Sequence, residues 1–416
     1  MSMPPIISAL RRHKAGVILI ALQIALTLAI VTNAVYIIDQ RVERVNRTTG
    51  IDESNLLLVQ QAWVDAPDDQ SPTGVIQLDA MLREDIDALR RLPDVASVAA
   101  TSTLPLLNMA NNNGISLSPE QKKPTSRVSL YFGDENLIDT LGLRLVAGRA
   151  FTAADVVRQG LRDTGLPPIV IVTKLLADKL FPRGDALGKV VYIGGDTHPL
   201  TIVGIVERLQ SPTTKDWAEE FAYNSAIVPV RRVGFFSLYA IRTRAGREDT
   251  VRQAVGPALY AVNPLRVFGD GTSARSFAEI RRKAYRDDYG MMIMMAVVCL
   301  ILIGTTAAGI VGLTSFWVGQ RTHQIGVRRA LGARKVDILR YFQVENLLIA
   351  GGGTLIGAVL ALALNLWLVT HFEMSRMPMN FLVAGMIAVL VLGQAAVLSP
   401  ARRAANVPPV VATRSI

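Results

Sequence analysis

The sequence has very little cysteine and histidine: of its 416 residues, one is cysteine (Cys299) and four are histidine. One cysteine cannot form a disulfide within the chain, so we expect the fold to rest on its core alone. In the segment 39–289, a metal site or a nucleophile–histidine pair would depend entirely on His198, which lies beside Pro199 in a glycine-rich turn. We interpret His198 as a surface histidine, and we expect no catalytic residue, metal or bound cofactor in this chain.

Charge is missing from four long stretches of the chain. A hydrocarbon core of about 30 Å requires roughly 20 apolar residues in a helix. The uncharged stretches meet this requirement and predict transmembrane helices at 15–38, 290–320, 346–372 and 377–400. The first is longer than the apolar core of a signal peptide, so we interpret it as an uncleaved anchor. A proton or ion relay needs ionisable groups inside the spans, so an ion-coupled transporter is disfavoured.

The basic residues are distributed unevenly and predict the orientation. Segment 39–289 contains 31 basic and 31 acidic residues, so the net charge of +10 lies in the N-terminal segment 1–14, the loop 321–345 and the tail 401–416. Cytoplasmic loops carry the Lys/Arg excess. Both termini and the loop are therefore predicted to be cytoplasmic, with 39–289 outside. Because the large segment is neutral and lacks interleaved basic and aromatic residues, we predict no nucleic-acid partner.

The segment 39–289 has the pattern of an α/β domain. Two β-α-β units, each with a proline between the helix and the second strand, predict a split β-α-β, ferredoxin-like lobe. Their elements are predicted at 55–64, 75–92 and 95–104, and at 235–243, 248–262 and 265–268. Strand-like runs between the units predict an inserted, mixed α/β lobe at about 125–230. Residues 36–47 are predicted to continue the first span, and 276–289 to lead into the second as a helix.

The loop 321–345 is basic and amphipathic. Its apolar residues predict a stripe with arginines on the other faces: Ile325, Ala330, Leu331, Val336, Leu339 and Phe342. Gly332 interrupts the stripe and predicts a bend between two short helices. A basic helix lying on anionic lipid is one interpretation. The alternation of small and anchoring residues at 326–333 favours the other, a docking surface for a partner protein.

Two pairs of small residues occur at helical spacing inside the predicted spans. They are Gly353 with Gly357 and Ala308 with Gly312. This spacing permits close helix contacts in lipid. The pattern does not distinguish contacts within one chain from contacts across a dimer.

Several runs resemble one protein family, in the family's order. The run IGVRRALGA at 325–333, then DIL at 337–339, and a last span ending in Pro400 followed by Ala401, Ala404 and Ala405 resemble the C-terminal domain of FtsX-like permeases. Segments 92–107, 146–156, 175–192 and 201–206 resemble the periplasmic core domain of MacB-type proteins. Together these runs extend over nearly the whole chain.

The resemblance implies a permease of a type VII ABC system in a bacterial inner membrane. Such permeases pair as homodimers or with a related permease, bind two ATPase subunits on the cytoplasmic side, and are mechanotransmission machines. A periplasmic adaptor is a further candidate partner. The implied ATPase-coupling residues are Ile325, Gly326, Val327, Arg328, Arg329, Ala330, Leu331, Gly332, Ala333 and Asp337.

Two positions depart from the family pattern. The family usually has an acidic residue where this chain has Gln324, and a small hydroxyl residue where it has Arg334. The helix that begins after Arg334 is therefore expected to lack the usual side-chain cap.

A phosphate-binding loop is not expected in this chain. The nearest match to Gly-x4-Gly-Lys-Ser/Thr begins at Gly184, but it has three residues between its glycines, and Val190 replaces the hydroxyl that holds magnesium. We therefore expect ATP and Mg²⁺ on a separate partner ATPase.

Three functions are compatible with these features. The leading one is mechanotransmission for export of a peptide, lipopeptide, lipoprotein or drug from the periplasmic face. The first alternative is a signalling regulator that transports nothing and activates an envelope hydrolase, as division-type members of the superfamily do. The second is a membrane-anchored hydrolase dependent on His198.

Overall fold

The computed structural model describes residues 14–372 and 375–408. The predicted segment 1–13, Glu373 and the end of the tail, 409–416, lie outside the described residues. The chain forms two units. We refer to residues 14–46 with 288–408 as the helical unit, and to Arg47–Asp287 as the large domain.

The described residues form ten α-helices and fourteen β-strands. The helices are α1 (Lys14–Val45), α2 (Pro72–Arg90), α3 (Leu137–Leu141), α4 (Lys174–Leu180), α5 (Glu248–Val262), α6 (Phe277–Ala284), α7 (Arg286–Gln320), α8 (Thr322–Ala330), α9 (Lys335–Phe372) and α10 (Met379–Ala405). The strands are β1 (Leu56–Trp63), β2 (Val95–Thr101), β3 (Asn111–Ser116), β4 (Ser126–Phe132), β5 (Leu145–Gly148), β6 (Val157–Gly160), β7 (Ile169–Thr173), β8 (Val190–Ile193), β9 (Leu200–Val206), β10 (Ser225–Val228), β11 (Val230–Val233), β12 (Phe236–Thr243), β13 (Arg266–Phe268) and β14 (Arg275–Ser276).

Four helices, α1, α7, α9 and α10, are long and apolar enough to cross a membrane. They extend beyond the predicted spans, because absence of charge marks only the part that suits hydrocarbon. The predicted continuation of the first span is present, since α1 reaches Val45. The predicted lead-in to the second span is instead two helices, α6 and α7, separated at Tyr285.

Polar side chains connect the helices of the helical unit. The hydroxyls of Thr27 and Thr306 are 2.7 Å apart and join α1 to α7. The Asn33 amide donates to the Ala361 carbonyl at 3.1 Å and joins α1 to α9. Such bonds satisfy polar groups that water cannot reach inside a bilayer.

The first lobe of the large domain is an antiparallel sheet with strand order β13-β1-β12-β2. Each of the two β-α-β units contributes two of these strands, and α2 and α5 pack their apolar residues against the same face. This confirms the two predicted β-α-β units. The helices end at Arg90 and Val262, before Pro93 and Pro264, because proline cannot continue a helix.

The inserted lobe contains a closed six-stranded barrel, an arrangement that the predicted mixed α/β lobe did not specify. Its order is β9-β7-β10-β4-β3-β8, and pairing of β8 with β9 closes it, while β5 adds to β9 outside the ring. It contains the short helices α3 and α4, but its core consists mainly of strand residues such as Val128, Val172 and Ile202. The barrel begins at Asn111, earlier than predicted. Strand β3 was not predicted because it is rich in asparagine, which strands disfavour.

A fully buried ion pair lies under the sheet of the first lobe. Both Nη atoms of Arg266 donate to the Asp85 carboxylate, at 2.9 and 3.0 Å. The Tyr239 hydroxyl and the Gln61 amide also donate to Asp85, at 2.9 and 2.6 Å. Removing one partner of such a pair leaves an uncompensated buried charge, which costs about 3–5 kcal/mol. No pattern in the sequence pointed to this network.

Asp134 connects the barrel to the edge strand of the sheet. Asp134 follows β4 in the sequence. Its carboxylate accepts hydrogen bonds from the backbone N–H of Ala100 at 2.9 Å and of Asn136 at 3.0 Å. Its side chain is buried. Burial raises the pKa of Asp134 to about 6, although both hydrogen bonds act in the opposite direction.

We predict that the large domain becomes less stable as the pH rises from 5 to 7. The folded pKa of Asp134, about 6, lies above its unfolded value, so folding favours the protonated form. The stabilising contribution of Asp134 is complete below its unfolded pKa and is lost as the pH rises through its folded pKa of about 6. We expect a loss of about 1 kcal/mol in unfolding free energy between pH 5 and pH 7.

Urea unfolding would measure this loss, followed by Trp63 fluorescence in a variant with Trp217, Trp317 and Trp367 replaced by phenylalanine. Asp134→Asn is the matched control. Between pH 5 and pH 7, its unfolding free energy should fall by about 1 kcal/mol less than that of the protein with Asp134. An equal pH dependence in both proteins would contradict the assignment.

Candidate coupling segment and helix contacts

The predicted coupling segment, 321–345, folds as α8, a tight turn and the start of α9. Gly332 lies in the left-handed region with φ +98°. Its N–H donates to the Arg329 carbonyl, and the N–H of Ala333 donates to that of Arg328. This pair of bonds is the Schellman motif, which ends helices at a left-handed glycine. The predicted bend at Gly332 is confirmed, but the second helix is not short, since α9 continues to Phe372.

The start of α9 has a cap despite the departure at Arg334. No small hydroxyl is present to accept a hydrogen bond from the first turn. The Asp337 carboxylate, however, accepts from the backbone N–H of Arg334 at 3.0 Å. This is one half of a capping box, and it gives Asp337 a structural role in the turn.

The predicted apolar stripe divides into two sets that face different ways. Ile325 and Phe342 are buried, and they belong to a core cluster with Ala401 and Ala404 of α10. Leu331, at the turn, is 83% exposed, and Val336 is 67% exposed. Ile325 and Phe342 therefore pack the segment against α10, whereas Leu331 and Val336 lie on the surface.

The basic residues of the segment divide in the same way. Both carboxylate oxygens of Glu345 accept from Arg321 Nη1 at 3.0 Å, and this pair is largely buried. Arg328 lies over the Tyr341 ring, 5.3 Å from its centroid. Arg334 and Arg340 are exposed. Exposed basic residues thus flank the turn, while Arg321 is paired with Glu345 inside the helical unit, a division that the charge pattern alone does not reveal.

The remaining predicted coupling residues lie on α8 and the turn. Gly326 is buried and Arg329 is half-buried, while Val327 and Ala330 are exposed. Gly332 is also exposed, and an added Cβ would meet no atom within 4 Å. The structure thus brings the predicted residues together around one turn. Their role in binding an ATPase stays a prediction.

The two predicted helix-contact pairs differ. An added Cβ on Gly353 would lie 2.7 Å from the Ala21 carbonyl oxygen, and one on Gly357 would lie 2.9 Å from the Ala25 backbone. These glycines therefore pack α9 directly on α1 within one chain. Ala308 and Gly312 lie on an exposed face of α7. Their predicted contact has no counterpart among the described residues of this chain.

His198 lies at the surface, as predicted. Its side chain is 76% exposed, and its Nδ1 atom is 2.6 Å from Asp196. Among the described residues, no three His, Cys, Asp or Glu side chains are grouped so that they could hold a metal ion. The hydrogen bond from His198 holds the pKa of the Asp196 carboxyl below its usual range.

The architecture defines a class of protein: a membrane protein with four long apolar helices and a large α/β domain inserted after the first of them. Residues 17–258 match the MacB-like periplasmic core domain, and residues 294–409 match the FtsX-like permease C-terminal domain. The first match alone includes more than half of the chain. The chain belongs to this family and is an ABC transporter permease of the MacB and FtsX type.

The curated relatives are longer than this chain and share about a quarter of the residues in the matched regions. The chain is 26% identical over 292 residues to the macrolide export ATP-binding/permease protein MacB of Neisseria gonorrhoeae, matching 68% of this chain and 42% of that protein. It is 24% identical over 357 residues to the pyoverdine export ATP-binding/permease protein PvdT of Pseudomonas syringae pv. tomato, matching 84% of this chain and 50% of that protein. The chain thus spans about half the length of the curated relatives it matches.

Among solved structures, the periplasmic region of MacB from Actinobacillus actinomycetemcomitans matches 58% of this chain and 97% of its own. The sequence identity is 13% and the TM-score is 0.35.

We predict that Gly353→Ala destabilises the helical unit, because its methyl group would overlap the α1 backbone. Overpacking of this kind costs about 1–3 kcal/mol. Gly352→Ala is the matched control, since an added Cβ there meets no atom within 4 Å. Thermal unfolding in detergent should show a lower midpoint for Gly353→Ala alone. Equal midpoints for the two variants would show that this contact does not limit packing.

Proposed function

We propose that this chain is the permease subunit through which a separate cytoplasmic ABC ATPase moves the large domain on the periplasmic side. The observation that carries the proposal is the turn between α8 and α9, which we call the coupling turn, where Leu331 and Val336 are exposed and flank the exposed Arg334 and Lys335 in sequence. Exposed apolar patches rimmed by polar residues mark protein–protein interaction sites. Family membership supports the same partner.

The proposed orientation follows from charge. Nine of the twelve described basic residues outside the large domain lie in the coupling segment, at the end of α10 and at Lys14, and the positive-inside rule assigns that side to the cytoplasm. The other three, Arg41, Arg44 and Arg376, lie at the opposite ends of the spans. The large domain is then periplasmic and the membrane is the bacterial inner membrane. We propose ATP and Mg²⁺ on two partner ATPases, a pair of permease chains, and a periplasmic adaptor as a further candidate partner.

The proposed work is export from the periplasmic face. The names of the relatives refer to export of a macrolide and of pyoverdine. For this chain, we propose a peptide, lipopeptide, lipoprotein or drug as the class of cargo. A continuous helix from Lys14 to Val45 supports transmission of motion along α1.

We predict that Leu331→Asp reduces ATPase binding at least tenfold, about 1.4 kcal/mol, because it places a charge on the apolar anchor. Leu331 is 83% exposed, so the fold loses little packing. The assay purifies the tagged chain from its native membranes and quantifies the accompanying ABC ATPase, recognised by its Gly-x4-Gly-Lys-Ser/Thr peptide in mass spectrometry.

Leu175→Asp is the matched control for this experiment, since Leu175 is an exposed leucine of the large domain. It should retain the ATPase. Wild-type recovery of the ATPase with Leu331→Asp would reject the turn as the coupling site.

We predict opposite labelling of the two sides in a Cys299→Ser background. Ser118→Cys and Gln324→Cys each place one cysteine at an exposed position, in the large domain and in α8 respectively. In intact spheroplasts, a membrane-impermeant maleimide should label the first and not the second. Disruption of the membrane should expose both, and the reverse pattern would reject the orientation.

A further inference from the structure

A cavity of about 410 Å³ lies at one edge of the large domain. One wall is the face of α6 that presents Ile280 and Ala284, and the opposite wall is the loop after β2, with Leu107 and Met109. Its volume is within the range of small-molecule sites, about 300–1,000 Å³. These side chains give a cavity with an otherwise polar lining one apolar part.

The rim of this cavity is strongly basic. Among the described lining residues are four cations, Lys215, Arg275, Lys283 and Arg286, and one carboxylate, Asp287. Arg286 and Asp287 are 3.9 Å apart, and both side chains are more than four-fifths exposed. Such a pair contributes little in water, so an anion can replace its carboxylate. The lining therefore favours a ligand with negative charge.

The loop that forms the apolar wall is held in an unusual conformation. Leu106 and Asn108 both have positive φ, +68° and +58°. The Asn108 side chain accepts from the backbone N–H of Thr214 at 3.0 Å and from its hydroxyl at 3.2 Å, which fixes the loop beside Lys215. Left-handed conformations at non-glycine residues are costly and cluster at binding sites.

One residue of this rim, Arg286, belongs to the helix of the second span. Arg286 is the first residue of α7, and the apolar part of that helix begins at Met291. Five residues of helix rise about 7.5 Å. Arg286 is thus about one and a half helical turns from hydrocarbon, at the depth where lipid phosphates lie.

We propose that this cavity binds an anionic phospholipid from the leaflet on the side of the large domain. The phosphate lies among Lys215, Lys283 and Arg286, and the first part of the acyl chain lies against Leu107, Met109 and Ile280. Free phosphate matches the rim but leaves the apolar wall unused. A zwitterionic lipid matches the wall but contributes no net charge to the basic rim.

The test uses the full chain in phosphatidylcholine nanodiscs, titrated with short-chain dioctanoyl-phosphatidylglycerol. We expect it to bind at least tenfold more tightly than dioctanoyl-phosphatidylcholine or inorganic phosphate, as measured by microscale thermophoresis. Raising the salt from 50 to 500 mM should weaken binding, because exposed charges are screened.

The triple variant Lys215→Gln, Lys283→Gln, Arg286→Gln should lose at least tenfold in affinity. The matched control is Lys122→Gln, Lys123→Gln, Arg183→Gln, which removes three exposed cations elsewhere in the large domain. Lys215→Gln alone, at an exposed position, gives a second reading if the triple variant unfolds, and it should weaken binding at least threefold.

Three results would overturn the proposal. Equal affinity for the anionic and zwitterionic lipids would remove the role of the basic rim. Equal affinity for phosphatidylglycerol and inorganic phosphate would make the site a free-phosphate site. Unchanged lipid affinity in the folded triple variant, or in Lys215→Gln if the triple variant unfolds, would place lipid binding outside this cavity.

Discussion

The close packing of α9 on α1 is the contact on which the helical unit depends. Gly353 and Gly357 lie against the α1 backbone at Ala21 and Ala25, where no larger side chain fits without displacement. In lipid, apolar side chains gain nothing by leaving the solvent, so helix association relies on close packing of this kind. Because α1 reaches Val45 and α9 begins at Lys335, the same contact orders the helix that precedes the large domain and the helix that follows the coupling turn.

Patterns in the sequence were sufficient where the governing physics is local. Uncharged runs located the four spans, and helical spacing bounded by Pro93 and Pro264 located two β-α-β units. Closure of the barrel could not be read in this way, because it depends on pairing β8 with β9 and on the asparagine-rich strand that begins at Asn111. Strand pairing between distant segments is decided by tertiary packing more than by local propensity.

The candidate coupling site shows the same limit. The basic, amphipathic run and the bend at Gly332 were predictable, since glycine permits the left-handed conformation that ends α8. Periodicity alone grouped Ile325 and Leu331 in one stripe, whereas Ile325 is buried and Leu331, at the end of α8, is exposed. The inward set meets the alanines at the end of α10, a contact between segments distant in sequence. Likewise, Arg321 counts among the basic residues of the loop, but its charge alone does not reveal that it forms a largely buried pair with Glu345.

Both chain connections of the large domain contain a non-helical break, but the breaks differ in length. On the N-terminal side, α1 ends at Val45 and β1 begins only at Leu56, whereas α6 and α7 are separated at Tyr285 alone. A helix transmits torque along its own length, and a non-helical break does not transmit it as a rod does. Rotation of either span would therefore reach the large domain through a joint, and axial displacement is the motion that both connections can pass on.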